Sequence, residues 1–235
     1  MKTTRVQIHS DIHLEKYPHR RIQPKTSTLI LAGDIGVPLF ASYKSFFSDT
    51  SRSFDRIYYV LGNHEYERAW MHIDKTNYHE LHTKFRERNL MIKDLLSTFS
   101  NITILDNQYT RIDGLLVFGG TLWSNFIASK KPIPTTKQYL SDRHAECLQK
   151  IISHPDLLIT HYVSCASALS KPWSIGIGPK YTIPASRYIF GHIHYPISKS
   201  NVRVNPWGDR SRDSPGNSLG VQDGPDPDGV WDLQN

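Results

Sequence analysis

Five short runs of apolar or β-branched residues, at 4–9, 28–32, 56–61, 157–160 and 188–190, are each bounded by turn-forming residues. Runs of this length without strict alternation predict buried strands. Between them, segment 76–99 carries apolar side chains at 78, 81, 85, 92, 95, 96 and 99. That spacing predicts a helix with one packed face, and with Lys84, Arg86 and Arg88 in solvent on the other. Segments 102–105, 108–112 and 115–119, separated by turns at Asp106-Asn107 and Asp113-Gly114, predict an antiparallel three-stranded meander. A helix is expected at 141–153 and a terminal strand pair at 195–199 and 202–205. Pattern alone gives an α/β fold with a mixed sheet and no internal repeat. The 235 residues suit one such domain, taken here as 1–205. From Pro206 onward the chain has five glycines, four prolines and six aspartates with almost no apolar spacing, which predicts a disordered tail over 206–235.

Composition removes some classes. The first nine residues hold no apolar run long enough for a signal peptide, and no later stretch has the length of a membrane span, so a soluble, cytoplasmic protein without membrane partners is expected. Cys147 and Cys165 form no CxxC pair, and reduced thiols are expected rather than a disulfide framework. The formal charge of +6 conceals an asymmetry, since residues 1–205 carry 26 bases and 16 acids. Such a body would draw phosphorylated small molecules or nucleic acids toward it. No basic stripe interleaved with aromatics accompanies it, so a solvated surface is the simpler reading.

The chemistry is concentrated where the five predicted strands end. Asp11-Ile12-His13, Gly33-Asp34, Gly62-Asn63-His64-Glu65, Thr160-His161 and Gly191-His192-Ile193-His194 follow them in turn, the place where α/β folds gather ligand sites. Asp11, Asp34 and Asn63 offer oxygen; His13, His161, His192 and His194 offer imidazole. Two borderline divalent ions, but not one, could absorb that set. His64 is left over for proton transfer. In extended chain, side chains at i and i+2 point the same way, so Asp11 with His13, and His192 with His194, form natural half-sites. Glycines at 33, 62 and 191 allow close backbone approach beside these residues. Any one of them alone reads as a turn cap; five blocks in order do not.

The succession DxH, GD, GNHE, TH, GHxH resembles the calcineurin-like metallophosphoesterase superfamily over residues 4 to about 206. Ser10 to Glu15, Leu29 to Ile35, Val60 to Tyr66 and Gly119 to Trp123 are similar to a compact prokaryotic and phage-type branch. The resemblance implies a four-layer α-β-β-α sandwich with two mixed β-sheets, the metallo-dependent phosphatase-like fold, and two divalent metal ions. Asp11, His13 and His194 would then bind one ion, Asn63, His161 and His192 the other, with Asp34 bridging. Manganese comes first, with iron, zinc, nickel or cobalt also suited to oxygen and imidazole ligands.

Two dications, two carboxylates and a bridging hydroxide leave a local charge of about +1 to receive a phosphate. Metal binding lowers the pKa of water from about 15.7 toward neutrality, so the hydroxide is the expected nucleophile for in-line attack on a phosphomonoester or phosphodiester. His64 is expected to protonate the leaving group as general acid. A small phosphoester or nucleotide is the expected substrate. Alternatives are a nuclease acting on DNA or RNA, which the basic body favours, and a non-catalytic scaffold stabilised by metal. After His161 the chain reads Tyr-Val-Ser-Cys where relatives often carry His-Ala-Pro-Ser, so the pocket rim departs from the family pattern. His144 stands in a helix where related proteins often have a histidine. Trp123, Tyr66 and Trp173 are aromatic candidates for a pocket wall, although buried aromatics more often belong to the core.

Overall fold

A computed structural model describes residues 3–67, 69, 76–124, 134–165, 167, 169, 182–208 and 229–234. Its strands are β1 (Thr3–His9), β2 (Thr28–Ala32), β3 (Arg56–Val60), β4 (Ile102–Ile104), β5 (Gln108–Ile112), β6 (Leu115–Gly120), β7 (Leu157–Thr160), β8 (Tyr188–Ile189), β9 (Ile197–Lys199), β10 (Val202–Val204) and β11 (Val230–Gln234). The helices are α1 (Ala41–Ser53), α2 (Tyr78–Leu96) and α3 (Thr135–Lys150), with a 3₁₀ turn at His64–Tyr66.

Two mixed sheets form, in the orders β11-β1-β2-β3-β4 and β5-β6-β7-β8-β10-β9. The parallel core of the first is β1-β2-β3-β4, and that of the second is β6-β7-β8-β10. Their inner faces meet through Val6, Ile8, Ile30, Ala32 and Val60 from one sheet and Val117, Leu157, Ile159 and Ile189 from the other. Alternate residues of the same strands, Leu29, Leu31, Ile57, Tyr59, Phe118 and Leu158, face outward into a second core shared with the helices. The period of two splits each strand between two apolar layers. Tyr43, Phe46 and Phe47 of α1, Leu81, Phe85 and Ile92 of α2, and Tyr139 and Cys147 of α3 complete the outer core. The four-layer expectation therefore holds.

Several local expectations change. The meander is divided: β5 and β6 form the antiparallel hairpin, with Asp113 and Gly114 both at positive φ in its turn, as an Asp-Gly hairpin requires. Strand β4, in contrast, pairs parallel with β3 in the other sheet. Leu105 extends that pairing by donating its amide to the Tyr59 carbonyl (2.7 Å), and the crossing between sheets follows at Asp106-Asn107. Helix α3 begins at Thr135, earlier than 141. Arg88 is not in solvent but buried, donating to the carbonyls of Glu65 (3.0 Å) and Glu67 (3.2 Å).

The disordered tail expected over 206–235 is corrected at both ends. Trp207 donates its indole N–H to His9 Nδ1 (3.0 Å) and its amide to the Ser10 carbonyl (2.9 Å). Val230–Gln234 is an edge strand antiparallel to β1, and Trp231 and Leu233 enter the inner core. Five alternating residues sufficed where the surrounding Gly, Pro and Asp residues obscured them. Residues 209–228 lie outside the described residues. Both cysteines are free and buried, and no described helix is long and apolar enough to cross a membrane.

Candidate active site

All five strands that precede a chemical block point their carboxyl ends at one region. From the first sheet, β1, β2 and β3 deliver Asp11 and His13, Asp34, and Asn63 with His64; from the second, β7 and β8 deliver His161, and His192 with His194. Asp11, His13, Asp34 and His161 are fully buried, while Asn63, His64, His192 and His194 are partly exposed.

The backbone at these strand ends is not extended. Asp11 (φ 54), His13 (φ 55), Asp34 (φ 54), His192 (φ 69) and His194 (φ 54) all occupy the left-handed region. That region costs an L-residue on the order of 1 kcal/mol or more and is held only where the surroundings impose it. The concentration of five such residues among seven candidate ligands marks the site. Gly33 (φ 86) shares the conformation. A Cβ on Gly62 would collide with the amide and carboxylate of Asp34, so only glycine lets the two loops approach this closely.

Among the described residues three groups have donor atoms within 4.8 Å of one another: the two clusters of candidate ligands, Asp11 with His13 and His194, and Asp34 with His161 and His192, and a third made of His13, Glu15 and His64. In the first, His13 Nε2 and His194 Nε2 are 3.3 Å apart, and His194 Nε2 is 3.3 Å from Asp11 Oδ1. In the second, His161 Nε2 is 3.3 Å from Asp34 Oδ2 and 3.1 Å from Asn63 Oδ1. The His192 ring lies against Tyr162 (4.2 Å between centroids) and His161 (5.1 Å). The half-site expectation is thus met by Asp11 and His13, whereas His192 and His194 divide between the two clusters.

Buried carboxylates need opposite charge beside them. Burial would raise the Asp34 carboxyl, but the charge and hydrogen bond of His161 hold it well below the ordinary range. Asp11 is likewise lowered against burial, chiefly by its hydrogen bond with His194. Burial opposes the charged form of His161 too, and Asp34 overrides it, raising its pKa to about 9. His192 goes the other way, pushed down to about 3 by burial and by the charge of His161. Here protons on histidine supply the positive charge that the carboxylates require. Divalent cations would supply it instead and displace those protons, and an all-oxygen-and-imidazole donor set fits such ions.

His64 lies beside both clusters. Its ring is 4.5 Å from that of His13, and its Nε2 is 4.0 Å from Asp34 Oδ2. Its Nδ1 faces Glu15 Oε1 (3.1 Å) and Glu67 Oε2 (3.0 Å). Burial would lower its pKa, but Asp34, Glu15 and Glu67 more than offset this and raise it to about 9.

Two residues that sequence reasoning left unassigned prove central. Glu65 is fully buried and accepts five hydrogen bonds: from the amides of Asp34 (3.1 Å), Ile35 (2.6 Å), Gly36 (3.3 Å) and Gly62 (2.7 Å), and from the Tyr59 hydroxyl (2.6 Å). It ties the loop after β2 to the loop after β3. Glu15 Oε1 lies 3.0 Å from His13 Nδ1 as well as near His64. Its place two residues after His13 was the available signal. His144 is buried in α3 with Nδ1 at the carbonyls of Leu122 (3.1 Å) and Trp123 (2.6 Å), a structural role away from the two clusters. Trp123 and Tyr66 are 4 % and 5 % exposed, so neither offers a ring face for stacking; Trp173 lies outside the described residues.

The fold of this chain has a counterpart among solved structures. The structure of a phosphopantetheinyl hydrolase from Mycobacterium tuberculosis superposes with a TM-score of 0.63 at 16% identity, covering 97% of this chain and 95% of the other. A putative 5'-nucleotidase from Staphylococcus aureus, solved with alpha-ketoglutarate, matches with a TM-score of 0.46 at 17% identity over 89% of this chain and 49% of the other. An uncharacterized protein, L509, of Acanthamoeba polyphaga mimivirus is 36% identical over 102 residues, which is 43% of this chain and 33% of that protein's length. The sequence profile of the calcineurin-like phosphoesterases matches residues 6–196, every strand-end block included, and the chain belongs to that family.

Proposed function

We propose that the chain is a hydrolase of phosphomonoesters or phosphodiesters that depends on two divalent ions. Asp11, His13 and His194 would hold one ion and Asn63, His161 and His192 the other, with Asp34 between them. The observation that carries this reading is the pair of histidine-carboxylate clusters, side by side at the carboxyl ends of both sheets, with His64 adjoining. When bound, such ions add positive charge for an incoming phosphate and lower the pKa of water toward neutrality.

The chain's own part is positioning and proton delivery. Nδ1 of His64 is occupied by carboxylates, so Nε2 is the atom free to donate to a departing oxygen. A pKa near 9 keeps that ring protonated at neutral pH. Manganese is the first ion to test, ahead of iron, zinc, nickel and cobalt, because nothing in the donor set is a thiolate that would select a softer metal.

The test is His64→Ala, assayed with manganese and with a chelator on a panel of alkyl and aryl phosphoesters, nucleotides, a phosphopantetheine diester and a polynucleotide. Wild-type turnover should require metal. The variant should keep its metal and lose about 10²- to 10⁴-fold in rate on esters with poor leaving groups. Chelator-insensitive hydrolysis would contradict the reading, and unchanged turnover in the variant would remove His64 from it. Preference for polynucleotide with a steep salt dependence would favour the nuclease alternative.

A further inference from the structure

Glu15 stands at a junction that neither cluster explains. Its side chain is 9 % exposed, and a single oxygen, Oε1, lies 3.0 Å from His13 Nδ1 and 3.1 Å from His64 Nδ1. The other oxygen, Oε2, is buried without a hydrogen-bond partner. A carboxylate selected for stability would divide its hydrogen bonds between both oxygens, because an unsatisfied buried acceptor is costly. Here both contacts to imidazole nitrogen are made by one oxygen atom. The loop fixes this arrangement: Leu14 donates its amide to the Ile35 carbonyl (2.9 Å), and a Cβ on Gly36 would come within 3.3 Å of Oε2.

We infer that Glu15 is a positioning residue for both halves of the site, its Oε1 fixing the Nδ1–H form of His13 and of His64 so that each ring turns Nε2 toward the reaction centre. For His13, a carboxylate on the far ring nitrogen orients the ring and strengthens it as a donor to a cation. For His64, the same contact assigns Nε2 the proton that is transferred. One oxygen can accept from two N–H groups, so no proton is shared or lost in this arrangement. Glu67 also reaches His64 Nδ1, but its side chain is 44 % exposed and does not touch His13 in these contacts. The inference rests on the hydrolase reading for the use to which His64 is put, but not for the tautomer.

The test compares Glu15→Ala, Glu15→Gln and Glu67→Gln with the wild type. Long-range proton-nitrogen NMR of the imidazole rings, recorded above pH 9 where His64 is neutral, reads its tautomer without any assay of activity. Glu15→Ala should lose the Nδ1–H form, Glu15→Gln should retain it because its amide oxygen still accepts, and Glu67→Gln should leave it in place. At saturating manganese, Glu15→Ala should fall by tenfold or more on an alkyl phosphoester but by less than threefold on a 4-nitrophenyl ester, whose leaving group needs no acid. Its manganese affinity should fall by about 10- to 100-fold at one site, and Glu15→Gln should restore most of both. A wild-type tautomer in folded Glu15→Ala, or equal losses on the two esters, would overturn the inference. Absence of metal-dependent turnover in the wild type would sink the hydrolase reading alone, leaving the tautomer to decide the role of Glu15.

Discussion

The two sheets contribute to the site in different ways. The first delivers its oxygen donors, Asp11, Asp34 and Asn63, on loops held by further buried groups. Glu65 gathers four amides and a hydroxyl, Arg88 fastens the carbonyls of Glu65 and Glu67, and the His64 amide donates to Asp34 Oδ1 (2.7 Å). The second delivers His161, His192 and His194 on loops that reach back to the first. His161 Nδ1 meets the Ala32 carbonyl (2.9 Å), and the His192 amide donates to Asp11 (3.0 Å); in both cases the partner belongs to the first sheet. One half is a preformed anionic socket. The other is a set of imidazoles that leans on it, and cations would complete the contact between them.

On that division, the largest single loss should come from Asp34, the residue proposed to lie between the two ions. Asp34→Asn keeps the shape but removes the charge opposite His161, and its turnover should fall by about 10³-fold or more. Metal content measured on the purified variant should drop from two ions toward one. Retention of both ions with near-normal turnover would show that the clusters do not share Asp34.

Glu65→Ala addresses the bracing rather than the charge. It would leave four amides and the Tyr59 hydroxyl without their buried acceptor, a loss of about 3–5 kcal/mol of folding stability by the usual magnitude for buried donors left unsatisfied together. Urea unfolding of the chelated protein measures it. A loss below about 1 kcal/mol would mean that the first sheet's loops are held by their backbone alone.

The sequence exposed what is local and concealed what is tertiary. Each ligand block is contiguous and lies at or just past a strand end, and three of the five include a glycine, so its place could be read from neighbours alone. Glu65 offered no such cue: it sits one residue from His64, yet its partners are 29 to 31 positions away in Asp34, Ile35 and Gly36 as well as nearby in Tyr59 and Gly62. Helix α1 was missed although Tyr43, Phe46, Phe47 and Thr50 keep helical spacing on its buried face; serines at 42, 45, 48, 51 and 53 favour turns, and no side chain caps its start. Strand β4 was joined to its neighbours in sequence because a turn follows it, but which sheet a strand enters depends on distant pairing with β3. The i, i+2 argument brought Asp11 and His13 together for an incomplete reason, since left-handed backbone rather than extended chain aims them.

The smallest expected effect isolates the imidazole half. In chelated protein His64 and His161 have pKa values raised to about 9, burial opposing the charge but Asp34 prevailing in both. Between about pH 6.5, the ordinary histidine value, and pH 9 the native state therefore binds more protons than the unfolded chain, and stability declines as pH rises through that window. His192, lowered to about 3 by burial and His161, acts with the opposite sign: below pH 6.5 the unfolded chain gains a proton that the native ring refuses, so this residue's contribution is lost as pH falls toward 3. His192→Ala should flatten the acid side of the profile while leaving the decline toward pH 9, with a change at neutral pH of about 1 kcal/mol or less. Saturating manganese should remove the share of the alkaline decline that His161 contributes, because a ligand imidazole binds a cation in its neutral form. An alkaline decline unaltered by metal would place His161 outside the cation sites and leave the second sheet no distinctive part in them.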